Sequence, residues 1–324
     1  MAKQKMDMLH GSLWDKLILY AFPVAATGIL EQLFNASDIA IVGNFTGKNS
    51  TLSVAAVGAN SPIVGLILNL FIGIALGANV VIANAVGHKD NKTVKKAVHT
   101  SIVMAVIGGI LVTIVGELGI AYLLKSLNVP SDVFKLALLY MRIYLLGMPA
   151  ILLYNFEAAI FRSIGDTKVP LQALAISGVL NVLLNLFFVI VLHMTVNGVA
   201  IATVIANVVS STVLFIKLRK TDKLIHVDIN DLRFSKDTFG KIMRIGLPAG
   251  IQSGVFAIAN IVIQAAINSL GTIVIAASSA ALNIEMFAYF VLNSFSQACT
   301  TFTSQNYGAG NVKRCKKTLL LCII

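Results

Sequence analysis

The sequence predicts an all-α protein that crosses a membrane many times. Of its 324 residues, 57% are hydrophobic and 12% are charged, and the mean hydropathy is +0.86. A soluble domain carries about a quarter charged residues. The apolar runs are longer than about 18 residues and lack strand-like alternation, which indicates membrane-spanning helices rather than a barrel. This composition excludes a soluble enzyme.

The apolar segments are bounded by Gly, Pro or charged residues, which are typical of helix ends. These boundaries predict eight complete helices and the beginning of a ninth. The helices are predicted at residues 16–43, 52–86, 95–124, 133–161, 168–192, 196–218, 239–270 and 272–306, with the ninth starting near residue 316.

Basic residues cluster in the N-terminal tail and in alternate loops. Lys92, Lys95 and Lys96, for example, lie at and just before the start of the third predicted helix, whereas the loops of the opposite set hold few such residues. Because cytoplasmic loops of membrane proteins are enriched in Lys and Arg, this distribution predicts a cytoplasmic N-terminus. The formal charge of +11 is explained by topology, so nucleic acid is not an expected partner. The cysteines show neither metal-ligand nor redox spacing, and no cofactor is expected.

An internal repeat indicates two lobes. Residues 247–249 match residues 22–24, each with a proline ahead of an apolar helix, and residues 304–308 match residues 83–87 ahead of a basic loop. Both copies begin on the cytoplasmic side, so the repeat is parallel and its axis runs along the membrane normal.

The repeat also predicts the domain boundaries. We expect an N-terminal lobe at residues 1–218, a cytoplasmic linker at 219–238 and a partial C-terminal lobe at 239–324. If each repeat contains six helices, the complete protein has twelve, so the chain is expected to be truncated in its second lobe.

Asp38 lies in a membrane-length apolar helix. A carboxylate there is costly unless it is paired, hydrated or protonated, so it marks a functional site by default. The same helix contains Pro23, which removes a backbone hydrogen bond and predicts a kink, and Pro248 is its counterpart in the second lobe. The sequence therefore predicts a bendable helix beside a buried acid.

The rise of 1.5 Å per residue places four polar side chains in the outer half of one bundle. Asp38 lies about 9 Å inside the external end of its helix, Asn181 and Asn185 about 12–18 Å inside theirs, and Thr203 about 12 Å. Carboxylate, amide and hydroxyl oxygens are ligands for hard cations, which predicts a Na⁺ or H⁺ site; with Na⁺, the ligands would be Asp38, Asn181 and Thr203. Alternatively, the Asn and Thr side chains only form interhelical hydrogen bonds.

Three further acids lie within predicted helices. Glu31 shares the helix face of Asp38 and is a candidate for a proton relay or for contact with a cationic substrate, or it is a neutral hydrogen-bonded acid. Glu285 is the candidate for the same role in the second lobe. Glu157 lies five residues before Arg162 and is interpreted as structural. An ion pair between the two side chains is one way in which it could fill that role.

Together these residues resemble the multidrug and toxic compound extrusion (MATE) family, in its prokaryotic DinF-like branch. The resemblance covers essentially the whole chain and rests on Pro23 followed by Asp38, on residues 157–170 (EAAIFRSIGDTKVP) and on residues 305–310 (QNYGAG). It implies twelve helices in two six-helix lobes. It also implies export of organic cations and other amphiphiles in exchange for Na⁺ or H⁺.

The resemblance further implies the ion-binding residues. In the related branch, the first-lobe site uses an acid on helix one, an Asn and an acid four residues apart on helix five, and a Thr on helix six. Asp38, Asn181 and Thr203 match those positions, but Asn185 replaces the second acid. We therefore expect one carboxylate where the relatives have two. The resemblance also links neutralisation of Asp38 to bending at Pro23.

From these observations we expect a secondary antiporter in the inner membrane of a bacterial or archaeal cell. It would work as a monomer among membrane lipids and export an amphipathic organic cation, with Na⁺ or H⁺ as the coupling ion. A flippase for a lipid-linked precursor is the alternative, but it needs several basic residues to hold pyrophosphate, and Arg142 is the sole candidate. A non-transporting membrane scaffold or receptor is disfavoured, because it has no reason to bear the cost of the buried acid and the helix-breaking residues. No nucleophile constellation, Walker or HExxH motif indicates an enzyme.

Overall fold

The computed structural model of this chain is a bundle of α-helices, and it describes residues 6–221, 224–268 and 272–323. No strand occurs in these ranges, so the predicted all-α class is confirmed. The ten α-helices among the described residues are α1 (Trp14–Phe45), α2 (Ser50–Gly87), α3 (Asn91–Ser126), α4 (Ser131–Leu146), α5 (Met148–Ser163), α6 (Lys168–Leu186), α7 (Val196–Arg219), α8 (Lys236–Asn268), α9 (Thr272–Gly308) and α10 (Val312–Ile323). A π-helical turn at Phe187–Val191 extends α6.

Many of these helices can cross a membrane by length and composition. Six described helices pass this test, and the bent pair of α4 and α5 makes a seventh if it counts as one span. The six are α1, α2, α3, α7, the first part of α8, and α6 with its π-helical turn. The predicted multi-pass organisation is therefore confirmed. Below, α1–α7 are called the first helix group and α8–α10 the second.

The single helix predicted at 133–161 is wrong at Gly147. Here α4 and α5 meet at 51°. Pro149 lies in the first turn of α5 and has no N–H to donate to the Leu145 carbonyl one turn earlier. That carbonyl accepts a hydrogen bond from Thr113 Oγ1 at 2.6 Å instead. A side chain on α3 thus satisfies the carbonyl that the bend leaves free. By contrast, α1 and α8 each run through their proline as one helix, and the kinks predicted at Pro23 and Pro248 stay predictions.

α2 lies at the centre of the bundle and packs directly against α8 through glycines. A Cβ atom added to Gly73 would lie 2.2 Å from the Gly250 nitrogen, and one added to Gly77 would lie 2.4 Å from the Ile242 carbonyl oxygen. On the α8 side, a Cβ atom on Gly246 would lie 2.6 Å from Ile74 Cα. The two backbones are therefore in contact, which small residues permit in membrane bundles.

The two repeat segments also pack against each other. A Cβ atom on Gly87 would lie 2.0 Å from the Gln305 carbonyl oxygen, and one on Gly308 would lie 2.1 Å from the Asn84 carbonyl oxygen. Asn84 Nδ2 donates to the Ser304 carbonyl at 3.4 Å. Equivalent residues of the two copies thus contact each other reciprocally, as expected for a parallel repeat whose axis passes between α2 and α9.

The segment between α7 and α8 is fixed to the first helix group. Ile225 and Val227 are buried in the core, and Lys95 Nζ contacts Asp231 Oδ2 at 2.5 Å. His99 Nδ1 lies 2.9 Å from the Asp231 carbonyl oxygen. The hydrogen bond and the positive charge of Lys95 hold the pKa of the Asp231 carboxyl below its ordinary value.

The close contact between α2 and α8 predicts that Gly73→Leu is strongly destabilising. The added side chain has no space beside Gly250, so the free energy of unfolding should fall by about 3 kcal/mol, a typical cost of overpacking. Thermal unfolding in detergent measures this change. Gly65→Leu is the matched control, since a Cβ atom there has no neighbour within 4 Å. Equal melting temperatures for the two variants would contradict this packing.

The contact between Lys95 and Asp231 predicts that Lys95→Gln exposes the linker to protease. The rate of cleavage between α7 and α8 should rise several-fold at neutral pH, whereas Lys96→Gln should leave it unchanged. Because the pKa of Asp231 is lowered in the folded protein, the contribution of its carboxylate is present at neutral pH and is lost as the pH falls through that lowered value. The two variants should therefore converge in acid, as limited proteolysis across a pH series would measure.

Candidate cation site

Asp38 forms the centre of a buried polar cluster. Its side chain is 6% exposed, and Asn185 Nδ2 donates to Asp38 Oδ1 at 2.5 Å. Thr203 Oγ1 lies 3.3 Å from Asp38 Oδ2 and 2.9 Å from the Val199 carbonyl oxygen, so its single proton is shared between two acceptors. Asn181 closes the cluster: its Oδ1 accepts from Asn185 Nδ2 at 3.2 Å, and its Nδ2 donates to Thr203 Oγ1 at 3.4 Å. The structure thus brings the four predicted residues together.

Three helices position these side chains. Asn181 and Asn185 lie one turn apart on the same face of α6, which packs against both α1 and α7. α1 approaches α6 closely at Gly178, where an added Cβ atom would lie 1.8 Å from Phe34 Cε2. The π-helical turn begins two residues after Asn185. Such turns often occur at functional sites, and the hydropathy pattern gave no sign of this one.

The cluster contains an oxygen atom that no hydrogen-bond donor reaches. Among the described residues, no Lys, Arg or His forms an ion pair with Asp38. Asn185 Oδ1 is buried and has no hydrogen-bond partner. A buried amide oxygen without a donor beside a carboxylate is an unusual cost in a folded protein, and both oxygens suit a hard cation. Within the same residues, no group of three or more His, Cys, Asp or Glu side chains is placed to hold a metal ion.

Two tyrosines beside the cluster were missed by the sequence analysis. Tyr140 and Tyr144 lie one turn apart on α4, are buried, and stack with a centroid distance of 6.1 Å. Both lie close enough to Asp38 to be within range of its charge. Their spacing of four residues on one helix face was the available signal, but buried aromatic residues at helical spacing are usually core residues.

The other predicted acids lie outside this cluster. Glu31 lies on α1, and its side chain is exposed. Its carboxyl group lies within range of the Arg162 charge. Glu285 is exposed on α9. Neither contributes a hydrogen bond to the Asp38 cluster.

The ion pair considered between Glu157 and Arg162 does not form. Residues five apart on a helix point about 140° away from each other, so the two side chains diverge. Arg162 Nη1 donates to Gln297 Oε1 at 3.2 Å, which connects α5 to α9. Glu157 is fully buried, and neither carboxyl oxygen has a hydrogen-bond partner.

A bundle of membrane-length helices with an acid and two amides in its interior is typical of a multi-pass membrane protein with a functional polar site. The MatE family model matches residues 23–187 and 248–324, which is most of the chain. The chain therefore belongs to the MATE family, as its residues predicted. Members of this family are transporters and not enzymes.

Similar proteins support this assignment. The chain is 26% identical over 317 residues to the probable multidrug resistance protein YoeA of Bacillus subtilis (strain 168), covering 95% of this chain and 67% of YoeA. It is 23% identical over 301 residues to the probable multidrug resistance protein NorM of Thermotoga maritima, covering 91% and 64%. The chain thus spans about two thirds of the length of these relatives.

Solved structures confirm the fold. A crystal structure of MATE in the bent conformation superposes with a TM-score of 0.91 at 26% identity, covering 100% of this chain and 72% of that one. A crystal structure of MATE in the straight conformation gives a TM-score of 0.89 at 25% identity, with the same coverage. The chain is therefore similar to both the bent and the straight structure.

The hydrogen bonds to Asp38 predict the effect of Asn185→Ala. Without the Asn185 amide, Asp38 Oδ1 loses its donor in a buried site, so the free energy of unfolding should fall by about 2–3 kcal/mol. Asn44→Ala is the control: that exposed amide donates to a backbone carbonyl of its own helix, and its loss should change stability by less than about 0.5 kcal/mol. Thermal unfolding of both variants measures the difference. A smaller loss for Asn185→Ala than for Asn44→Ala would contradict the contact.

Proposed function

We propose that this protein is a secondary active antiporter that exports amphipathic organic cations from the cell in exchange for Na⁺ or H⁺. The observation that carries the proposal is Asp38, a carboxylate buried in a membrane-length helix and held by side chains of two other helices. Membership of the MATE family and the multidrug resistance names of its relatives support export of drug-like compounds. The protein works in the cell membrane with its N-terminus in the cytoplasm.

The cluster suits one monovalent cation. Na⁺ would be held by oxygens of Asp38, Asn181, Asn185 and Thr203, and H⁺ would bind Asp38 itself. Because Asn185 is neutral, Asp38 contributes the one negative charge of the cluster. A single Na⁺ or H⁺ therefore neutralises the site, and no second counter-charge is left buried.

Neutralising Asp38 is proposed to move α1. The Asn185 and Thr203 donors hold α1 against α6 and α7 most strongly while Asp38 is charged. Once a cation has bound, these hydrogen bonds weaken and α1 is free to shift. Pro23 lacks an N–H, so bending costs least near it. Since α1 also packs against α9, its shift reaches the second helix group.

The substrate is proposed to contact acids outside the ion site. Glu31 is exposed on α1 and lies between Pro23 and Asp38, and Glu285 is exposed on α9. A carboxylate on each helix group would attract the cationic part of an amphipathic substrate. The flippase alternative has weaker support, because Arg142 Nε lies 3.5 Å from Glu117 Oε2 and is already paired.

Transport by the full-length protein in proteoliposomes tests the role of Asp38. Wild-type protein should extrude a fluorescent organic cation when a Na⁺ or H⁺ gradient is imposed, and separate gradients identify the ion. Asp38→Asn keeps the size and polarity of the side chain but cannot be neutralised by a cation, so coupled efflux should fall to the background of protein-free vesicles.

Asp15→Asn removes an exposed acid from the first turn of the same helix and should transport like wild type. If Na⁺ is the ion, it should raise the melting temperature of wild type but not of Asp38→Asn. Coupled efflux by Asp38→Asn at the wild-type rate would overturn the proposal.

A further inference from the structure

The segment before α1 lies across the two helix groups. We call residues 6–13 the N-terminal strap. Met8 and Leu13 are 1% and 3% exposed, although they belong to no helix. They pack into one apolar cluster with Tyr20 of α1 and with Ala298 and Phe302 of α9. The strap is thus built into the contact between the two groups.

Arg314 of the second group holds the backbone of the strap. Its Nε donates to the Met8 carbonyl at 3.1 Å, its Nη1 to the Gly11 carbonyl at 2.9 Å, and its Nη2 to the His10 carbonyl at 3.1 Å. Asn306 Nδ2 also donates to the Met8 carbonyl at 3.1 Å. All three nitrogens of one guanidinium are therefore used on a single turn of chain.

The first helix group also contacts this turn of the strap, on the side opposite Arg314. Lys16 Nζ donates to the His10 carbonyl at 2.5 Å and to the Asp7 carbonyl at 2.6 Å. The Met8 methyl group occupies the space over Gly165, in the turn between α5 and α6, where an added Cβ atom would lie 2.6 Å from it. The His10 carbonyl thus accepts one hydrogen bond from each helix group.

Buried polar contacts between the groups lie next to this segment. The Tyr20 hydroxyl lies 2.9 Å from Thr301 Oγ1, which donates to Asn79 Oδ1 at 3.0 Å. Gln305 Nε2 donates to the Ser163 carbonyl at 2.8 Å. These contacts join α9 to α1, α2 and α5, so the groups must break them to separate at this end of the bundle.

We propose that Arg314 is a positioning residue of the transport cycle, which holds the strap as a reversible clamp between the two helix groups. The inference rests on the proposed function, because an antiporter must open this end of the bundle in one of its states. The acceptors are neutral carbonyls rather than carboxylates, so water can replace them at moderate cost. The three simultaneous hydrogen bonds from Arg314 fix the position of the strap, and each of them can still be broken.

Thiol accessibility tests the clamp. Ala298→Cys places a small reporter in the cluster below the strap, after Cys299, Cys315 and Cys322 of the full-length protein are replaced by Ser. Arg314→Gln should raise the labelling rate of the reporter by a water-soluble maleimide roughly tenfold or more, since one hydrogen bond from a charged donor is worth about that factor. Arg314→Lys retains the positive charge but lacks the planar guanidinium with its several donors, so its labelling rate should lie between those of the parent protein and Arg314→Gln.

The matched control is Lys313→Gln, which removes an exposed charge from the neighbouring position and should label like the parent protein. Labelling of Arg314→Gln at the control rate, with an unchanged elution profile, would overturn the proposal. The labelling assay does not depend on transport, so its outcome is separate from that of the antiport proposal.

A second variant decides the question if Arg314→Gln fails to fold. His10→Cys with Lys313→Cys, which keeps Arg314 and is made in the background without the native cysteines, attaches the strap to α10 when the two thiols are joined by a reducible bis-thiosulfonate reagent. Pinned protein should lose transport and regain it after reduction with dithiothreitol, whereas the untreated pair should transport. Undiminished transport by the pinned protein would show that the strap need not release.

Discussion

The contact of α2 with α8 and α9 is the constraint on which the arrangement of the bundle depends. At Gly73 and Gly250, and again at Gly87 and Gln305, the backbones touch without intervening side chains. In a bilayer, apolar side chains gain little by leaving lipid for another apolar surface, so helices associate through close packing and polar contacts. Here the glycines permit the close packing. The polar contacts beside them come from Asn79, Thr301 and Gln305. The line of contact along α2 thus joins the two helix groups.

The Asp38 cluster lies away from this line, within the first helix group. Its side chains come from α1, α6 and α7, and of these α1 makes the extensive contact with α9. α1 is therefore the element that connects the site to the second group. A change in charge at Asp38 therefore acts on a helix that contacts the second helix group directly. The same change on α6 or α7 would reach the second group less directly.

The sequence predicted what depends on hydropathy and on fixed helix geometry. Helix positions followed from apolar runs, and the rise per residue placed Asp38, Asn181, Asn185 and Thr203 in the outer half of one bundle. The break at Gly147 was missed because its stability depends on Thr113, a residue on another helix that satisfies the Leu145 carbonyl. The strap was missed for a similar reason. In the sequence, Arg314 is one more basic residue of a cytoplasmic loop, and its acceptors are backbone carbonyls about 300 residues earlier, which no side-chain pattern reveals.

The two ends of α1 are held in different ways, and this difference bears on how the helix would move. Toward its C-terminal end, Asp38 is held by donors whose strength depends on its charge. At its N-terminal end, Lys16 and the strap hold the chain through neutral carbonyls, whose bonds do not change when a cation binds at Asp38. Pro23 lies between these two anchors. Under the proposed mechanism, cation binding loosens one anchor and leaves the other in place. A helix held at one end and released at the other bends rather than slides, and the bend falls where a backbone hydrogen bond is already missing.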